Sequence, residues 1–513
     1  MSDNENTKRI AKNTLLLYGR MLFSLVISLY TSRVVLATLG VDDYGTYNAV
    51  GGIVAMFSLL SSSLSTAASR FLTFELGKGN RHRLKRIFST TLTIHIFLVI
   101  IVLLFIETIG LWFLNTKMII PTDRMYAANW VFQCTAFSFL LGMINVPYAA
   151  SIISHERMNI FAFIGVLEVA LKLIIVLMLA YASLGIDKLI LYAVLYASVG
   201  VLLFLIYVAY CRRHFLESHV GLSFDKELLR EMTGFAGWNF IGSIAGLLKD
   251  QGVNVLLNLF GGPIVNAARG LAFVVSSAVG SFVGNFMIAL NPQITKSFAS
   301  GDHDYMMSLV QRGARFSFYI LLVLTLPLLF ETDFVLTLWL DHYPDHTTAF
   351  VRLVLTLTMC DVLSNTLITL QLATGKIRNY QIAVGGMLLM NFPVSYVLLK
   401  MGYAPESTML AAIVISLCCL SLRLIFLRKM IQLSIGNYVI HVLGNVLLVT
   451  VCALILPAIV YYHFSDGVLR FVFTGTTCVI STLLVILWIG CNRNERMFIF
   501  RKCADIFNTL KNK

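Results

Sequence analysis

Eight charged residues lie inside long apolar stretches of this chain. They are Arg20, Arg33, Glu107, Glu168, Lys172, Lys249, Asp250 and Asp361. A charged side chain at the centre of a membrane-spanning helix costs about 3 kcal/mol or more, so it usually faces a water-filled cavity or a partner group. The chemistry that such residues suit is the binding of ions or of charged groups at membrane depth.

The stretch around Asp250 has the most regular polar pattern. Polar residues recur there at spacings of four and seven, at Asn239, Ser243, Asp250, Asn254 and Asn258. These spacings place them on one face of an α-helix, with Lys249 beside that face. The pattern favours the wall of a solvated cavity over the alternative, a buried network of hydrogen bonds between helices.

Cationic residues are the candidates for contact with an anionic substrate. Arg33 lies deeper than Arg20, whose long side chain can reach the membrane interface. Lys249 is at mid-depth, and Arg269 lies just inside the outer end of its helix, where an interfacial anchor is the alternative reading. We therefore predict a cationic, substrate-binding cavity lined by Arg33, Lys249, Arg269, Asn254 and Asn239.

The acidic residues are candidates for ion coupling. Glu168 and Lys172 are four residues apart, which favours a neutral ion pair on one helix over a proton relay. Asp361 has no charged neighbour at helical spacing, so it needs a partner from another helix or is protonated. Coupling to H⁺ or Na⁺ would therefore use Asp250, Asp361 or Glu168.

Motifs typical of enzymes are missing from the sequence. It contains no phosphate-binding glycine loop, nucleophile elbow or metal-ligand pair. All of the cysteines but Cys503 lie in or at the edge of apolar stretches, without metal or redox spacing. We predict no catalytic residue, no metal site and no cofactor.

The composition indicates which elements position these residues. Hydrophobic residues make up 58% of the chain and charged residues only 13%, whereas about a quarter of a soluble protein is charged. Apolar stretches of about 20 residues or more recur along the chain; each can cross the bilayer, and inside lipid each must be helical. The sequence predicts an all-α polytopic membrane protein of about fourteen transmembrane helices, near residues 13–39, 45–70, 87–114, 126–153, 159–183, 187–211, 236–260, 266–295, 308–331, 348–374, 379–401, 406–428, 437–463 and 468–491.

Lysine and arginine are distributed unequally between the two sets of connections. About 28 of them lie on one side and about seven on the other, and an excess of positive residues marks the cytoplasmic side. Both termini are therefore predicted to be cytoplasmic. The net charge of +13 then reflects topology, with anionic membrane lipids as the partner, and nucleic acid is not needed to explain it.

The two halves of the chain match weakly at offsets of about 220–222 residues. The matched positions are Leu39-Gly40 with Phe260-Gly261, Gly79-Asn80 with Gly301-Asp302, Asn145 with Asn365, and Asn159 with Asn379. Each half holds six predicted helices, so the repeats are parallel and related by an axis along the membrane normal. This layout is typical of transporters with two pseudo-symmetric six-helix lobes and a central site.

The predicted domains follow from the repeats. They are an N-terminal lobe at 1–211, a cytoplasmic linker with an amphipathic helix at 212–235, a C-terminal lobe at 236–430, two further helices at 431–492 and a basic cytoplasmic tail at 493–513.

The chain resembles the polysaccharide (oligosaccharide-lipid) flippases of the multidrug/oligosaccharidyl-lipid/polysaccharide (MOP) exporter superfamily, which occur in capsule and lipopolysaccharide gene clusters. The resemblance covers the first twelve predicted helices. It is carried by SRVVLATLGVDDYGTYNAVGGIVAMF (32–57), RFLTFELGKGN (70–80), NVPYAASIISHERMNIFA (145–162) and NAARGLAFVVSSAVGSFVGNFMIALNPQITKSFASGD (266–302).

The resemblance implies a bacterial inner-membrane protein that works by alternating access. Its substrate would be an oligosaccharide on undecaprenyl pyrophosphate, moved to the periplasmic leaflet for O-antigen or capsule synthesis. The polysaccharide polymerase or export machinery would be a partner. Arg33, Lys249 and Arg269 would attract the diphosphate and sugar acids.

Two alternatives share this fold. Multidrug and toxin extrusion (MATE) transporters export organic cations. A cation-binding site requires a carboxylate without competing cations, but Asp250 has Lys249 beside it. A lipid II flippase differs only in its headgroup, which the sequence does not specify.

Overall fold

The computed structural model describes residues 3–55, 57–116, 118, 120, 122–181, 187–219, 221, 225–340, 342–497 and 500. Regular secondary structure in these ranges is entirely helical. Twelve described helices are long and apolar enough to cross a membrane, and the longest turns back at Gly262, so it supplies two spans. The predicted all-α polytopic membrane fold is confirmed, with roughly the predicted number of spans.

The first half of the chain forms seven helices of the described structure. They are α1 (Asp3–Ala55), α2 (Ser58–Lys78), α3 (Arg81–Phe105), α4 (Leu111–Thr116), α5 (Met125–Ser154), α6 (Met158–Tyr181) and α7 (Lys188–His214). A π-helical turn, Ile106–Gly110, joins α3 to α4, and 3-10 turns lie at Thr122–Arg124 and Leu216–His219. The predicted span 45–70 is divided between α1 and α2.

The second half is more interrupted. Its helices are α8 (Lys226–Ser300), α9 (His303–Phe330), α10 (Thr332–Leu340), α11 (Thr347–Val362), α12 (Asn365–Thr374), α13 (Arg378–Leu389), α14 (Asn391–Lys400), α15 (Ser407–Ile431), α16 (Ile435–Tyr438), α17 (Asn445–His463) and α18 (Val468–Val485). Two π-helical turns, Val439–Gly444 and Ile486–Gly490, extend the last spans.

Glycine conformations agree with the internal repeat. Gly40 (φ 82°, ψ 171°) and Gly262 (φ 75°, ψ −176°) share a backbone region that is essentially restricted to glycine, and each separates two helices at a kink. Gly79 and Gly301 are both left-handed C-caps, of α2 and α8. Both pairs are 222 residues apart, so the structural equivalent of Gly40 is Gly262, one residue later than the Gly261 of the sequence alignment.

The described residues form two compact units. Unit 1 comprises Met1–Ser243 and Asn291–His303, and unit 2 comprises Ile244–Leu290 and Asp304–Lys513. Two of the three divisions fall within α8 and the third lies at the start of α9, whereas the sequence places the joint between the lobes at 212–235. The amphipathic helix predicted in that linker begins at Lys226 and continues into the membrane span, because the backbone stays helical as far as Gly262.

Within unit 2, ion pairs with buried carboxylates join the C-terminal residues to α9 and to the residue that follows it. Arg470 of α18 contacts Glu331 at 3.0 Å, and the Glu331 side chain is only 1% exposed. Arg315 of α9 contacts Glu495 at 2.7 Å. The basic tail predicted at 493–513 is described only at 493–497 and 500, and its remaining residues lie outside the described residues.

Candidate functional site

A charged cluster forms where α8 folds back on itself at Gly262. Asn254 lies eight residues before the turn and Arg269 seven residues after it, so the two antiparallel arms bring them to the same depth. Arg269 donates a hydrogen bond from Nη1 to Asn254 Oδ1, and its Nη2 lies 3.8 Å from Asp250 Oδ1. Seven residues of helix place Arg269 about 10 Å from the turn.

Lys249 completes this cluster, which we call the hairpin cluster (Lys249, Asp250, Asn254 and Arg269). Its Nζ lies 3.7 Å from Asp250 Oδ1. The side chain of Arg269 is 3% exposed, that of Lys249 12% and that of Asp250 41%, so the carboxylate faces the open side and the arginine lies deepest. Two cations share one carboxylate, which leaves the hairpin cluster with an excess of positive charge.

Arg269 has more hydrogen-bond donors than its neighbours use. Its guanidinium stacks over the Phe273 ring at 4.3 Å. Its Nε is buried and has no hydrogen-bond partner among the described residues. A guanidinium with free donors in a low-dielectric setting suits planar or tetrahedral oxyanions, because its N–H groups match carboxylate and phosphate geometry.

Small residues let the arm of α8 that carries Lys249 and Asp250 pack closely on its neighbours. A Cβ at Gly252 would lie 2.7 Å from the Phe392 ring of α14, and a Cβ at Gly385 of α13 would lie 3.4 Å from that of Ala245. Such close approach is the usual role of glycine and alanine between membrane helices. It fixes the depth and rotation of the hairpin cluster within unit 2.

Asp361 lies at the end of α11 and makes none of the contacts described for the hairpin cluster. It is exposed and accepts a hydrogen bond from the Ser416 hydroxyl of α15. No cationic group lies within ion-pair distance of it among the described residues. The partner from another helix that the sequence required is therefore a hydroxyl, and Asp361 is the least neutralised of the three candidate acids.

Helix α11 ends at Val362, and side chains from other helices bind the two residues that follow. The Tyr438 hydroxyl donates to the Leu363 carbonyl at 2.8 Å, and Tyr438 is fully buried. Arg423 of α15 donates to the Ser364 hydroxyl oxygen at 3.1 Å. Irregular backbone at membrane depth is tolerated only where such partners exist.

Unit 1 holds a different charged pair. Lys172 Nζ lies 2.6 Å from Glu168 Oε1, one turn away on α6, and 4.5 Å from the centre of the Tyr196 ring. Both charged residues line a cavity of about 450 Å³ together with Asn145 and Tyr207. The ion pair favoured by the sequence is present, and it faces space large enough for solvent.

The predicted site residues fall into separate groups. The structure brings Lys249, Asp250, Asn254 and Arg269 together. Asn239 lies three helical turns before Asp250 and belongs to unit 1, where its carbonyl accepts from Ser243. Arg33 is exposed, with no hydrogen bond or ion pair to another described residue. Within the described ranges, acidic, histidine and cysteine side chains do not gather into a possible metal site.

Sequence reasoning missed two neighbours of the hairpin cluster. Gln251 accepts a hydrogen bond from the Asn254 side chain at 3.1 Å, and Phe273 lies under Arg269. A detectable signal existed, since Phe273 follows Arg269 by one helical turn and Gln251 is adjacent to Asp250. Neither residue is charged, and the signal that identifies both is their equal spacing of eleven residues on either side of Gly262.

Solved structures with the same fold are transporters. One is described as MATE in the straight conformation, with a TM-score of 0.69, 12% sequence identity and coverage of 83% of this chain and 96% of that one. Another is an outward-facing multidrug resistance MATE family transporter of the MOP superfamily. Its TM-score is 0.71 and its sequence identity 11%, and the match covers 83% of this chain and 96% of that one. A third is a MOP superfamily transporter from Pyrococcus furiosus, whose description notes a reversed polarity of its binding pocket. Its TM-score is 0.69 and its sequence identity 12%, and the match covers 83% of this chain and 96% of that one.

At such low identity these likenesses show the fold alone. No curated protein sequence matches the chain. The family model described as "Polysaccharide biosynthesis protein" matches residues 7–298, more than half of the chain. The fold is that of multi-pass membrane transporters, and the chain belongs to the polysaccharide biosynthesis protein family.

Proposed function

We propose that this protein moves a lipid-linked oligosaccharide across the bacterial inner membrane by alternating access. The carrier is undecaprenyl pyrophosphate, and the product supplies O-antigen or capsule synthesis. Membership of the polysaccharide biosynthesis family supports the substrate class. Support for an anionic headgroup comes from one observation: buried Arg269, with an unused donor, stands in a cluster of excess positive charge.

The positive excess also weighs against export of organic cations. A cation-binding site requires an available carboxylate, but Asp250 already has Lys249 and Arg269 within 4 Å. A diphosphate carries several oxygen acceptors and would gain charge-assisted hydrogen bonds from the same groups. A lipid II flippase remains a second candidate, since its headgroup also carries a diphosphate.

The orientation of the chain belongs to this proposal. The excess of lysine and arginine on one set of connections supports cytoplasmic termini, next to anionic lipid headgroups. A polysaccharide polymerase or export complex would act on the product from the other side. Nucleic acid has no part in the function.

Ion coupling is proposed to use Asp361 before Asp250 or Glu168. Asp250 and Glu168 have cationic partners, whereas Asp361 has a hydroxyl partner and is exposed. A carboxylate without a fixed countercharge is free to bind and release H⁺ or Na⁺. If neutralising all three acids leaves the ion dependence of transport unchanged, this part of the proposal is wrong.

The decisive experiment uses a strain that lacks the gene. We expect lipid-linked oligosaccharide to accumulate on the cytoplasmic leaflet and surface polysaccharide to be lost, with both restored by the intact gene. The sugar composition of the accumulated lipid identifies the substrate and separates an O-antigen or capsule unit from lipid II. Unchanged glycolipids together with new sensitivity to cationic dyes would support drug export instead.

A further inference from the structure

The corner between α5 and α6 has a charged residue where glycine is normally found. α5 ends at Ser154 in a Schellman arrangement: Arg157 N–H donates to the Ile152 carbonyl at 3.0 Å, and Glu156 N–H donates to the Ile153 carbonyl at 2.9 Å. Glu156 occupies the left-handed position, with φ 58°. Glycine is favoured there because a Cβ is strained, so the backbone gives no reason for glutamate.

The side chain of Glu156 supplies a reason. Its carboxylate is 1% exposed and accepts hydrogen bonds from Arg9 near the start of α1 and from Gln293. Lys296 Nζ contributes a third contact at 2.6 Å. A buried carboxylate requires such partners, and leaving it with fewer is strongly unfavourable.

Two of the three partners come from the last turns of α8. This end, Asn291–His303, packs within unit 1, whereas the preceding residues Ile244–Leu290 belong to unit 2. Packing here is tight, because a Cβ at Gly77 of α2 would lie 2.8 Å from the Lys296 carbonyl oxygen. The end of α8 is therefore held to unit 1 by both close packing and charge.

We propose that Glu156 is a conformational lock that holds the end of α8 in one state of the transport cycle. In the opposite state Gln293 and Lys296 separate from Glu156, while Arg9, from the same repeat as Glu156, remains beside it. This inference depends on the proposed function only in requiring that the protein alternates between two states.

The retention of Arg9 explains how a buried carboxylate can serve a reversible contact. When α8 leaves, Glu156 keeps one cationic partner and gains water, so neither state contains an isolated buried charge. The energy difference between the states is then set by Lys296 and Gln293. Neutralising Glu156 removes that difference, because an amide cannot attract Lys296 as a carboxylate does.

A neighbouring ion pair provides a matched control. Glu217, whose side chain is 5% exposed, lies 2.7 Å from His155 Nε2, the residue that precedes Glu156. Glu217 therefore shares the burial and the charge of Glu156 but has no contact with Gln293 or Lys296 among those the structure describes. Glu217→Gln removes a buried carboxylate from the same corner without touching the lock.

The test measures how often the end of α8 opens. Ser297 lies between Lys296 and Phe298 and is 7% exposed. The variant Ser297→Cys is purified in detergent and reacted with a charged maleimide. The labelling of the same protein without the Ser297→Cys substitution is subtracted, which removes the contribution of the natural cysteines. We expect Glu156→Gln to raise the labelling rate about tenfold and Lys296→Gln about threefold, since Gln293 still holds the end of α8 to Glu156 in the second variant.

Two comparisons make the result decisive. When Glu217→Gln is added to Ser297→Cys, the labelling rate is expected to stay within about twofold of that of Ser297→Cys alone. Glu156→Gly relieves the left-handed backbone yet lacks the carboxylate, so it should label as fast as Glu156→Gln while unfolding at no lower temperature. Slow labelling of both Glu156 variants, or equally fast labelling of Glu217→Gln, would overturn the lock.

The readout is independent of the cargo. Labelling in detergent requires neither an oligosaccharide lipid nor a defined membrane side. A strain that shows no glycolipid defect would therefore refute the proposed substrate and leave the lock intact. Conversely, normal opening in Glu156→Gln together with a glycolipid defect in the deletion strain would refute the lock alone.

Discussion

Unit 1 and unit 2 each place a carboxylate and a cation at membrane depth, but they assemble them differently. Glu168 and Lys172 lie one turn apart on α6, so secondary structure alone brings them together at 2.6 Å. In unit 2, Arg269 reaches Asn254 and Asp250 only because α8 reverses at Gly262. The local pair is neutral, whereas the hairpin cluster retains a positive excess and an unused donor, and it therefore suits an anionic ligand.

Arg269→Gln, in the hairpin cluster, should reduce transport the most. It removes the deepest cation and leaves Asp250 with Lys249 alone. Loss of a buried, hydrogen-bonded charge costs about 3 kcal/mol, which corresponds to about a 100-fold loss of transport. Transport is measured as export of lipid-linked oligosaccharide in the deletion strain complemented with each variant. Arg352→Gln is the control, since Arg352 forms an exposed ion pair with Asp333 at 3.2 Å in the same unit. Equal losses in both variants would show that total charge matters and the cluster does not.

Joint replacement of Arg33 and Lys249 by glutamine should cause the second-largest loss of transport. Arg33 is exposed and Lys249 is 12% exposed, so both can meet a headgroup but neither is as buried as Arg269. Each contact should contribute about 1 kcal/mol, or about 30-fold in transport for the pair. Membrane insertion should be unchanged by immunoblot of membrane fractions. Normal transport in the double variant would contradict a cationic cavity.

Gly262→Ala tests whether the turn assembles the hairpin cluster. A Cβ at Gly262 meets no atom within 4 Å, so the substitution acts only through the positive φ. We expect a stability loss of about 1–3 kcal/mol and about a tenfold loss of transport, because Arg269 moves relative to Asp250.

Gly40→Ala is its matched control. Gly40 has nearly the same φ and ψ and equally open surroundings. It should lose as much thermal stability as Gly262→Ala but less transport, since none of the ion pairs described in unit 1 reaches across its turn. Identical transport losses would indicate that the turns themselves move during the cycle.

Neutralising the unit 1 pair should have the smallest effect. Glu168→Gln and Lys172→Gln each leave a partly exposed partner, so we expect less than about a threefold loss of transport. The double variant should be no worse than either single one, because the pair neutralises itself. Abolition of transport by Glu168→Gln alone would instead show that this carboxylate carries a proton, and the contrast between the units would disappear.

Apolar length and low charge content were enough to predict the membrane class and the approximate helix positions, and the matched glycine and asparagine positions were enough to predict the internal repeat. Most of the hairpin cluster was also predictable, since polar spacing identified Asp250, Asn254 and Lys249 on one helix. Their union with Arg269 depends on where the chain turns, and the alignment misplaced that turn by one residue. The sequence pattern therefore located the participants but not their contacts.

Other features could not be predicted because tertiary contacts create them. The break after α11 contains Leu363 and Ser364, neither of which disrupts a helix. There Tyr438 satisfies the Leu363 carbonyl, and Arg423 binds the Ser364 side chain. Glu156 was overlooked because topology prediction counts lysine and arginine in connections and ignores acids. Its role becomes visible only when Arg9 and Lys296, 287 residues apart in the sequence, meet around it.

The Tyr438 hydrogen bond has a consequence for the order in which the protein matures. Chains are synthesised from the N-terminus and fold as they emerge, so Leu363 leaves the ribosome well before Tyr438. Until then its carbonyl lacks the partner that it has in the finished protein. The second repeat therefore cannot reach its final form during its own synthesis, and a nascent chain that stalls or is cut after Ile431 would leave this span incomplete and open to membrane quality control.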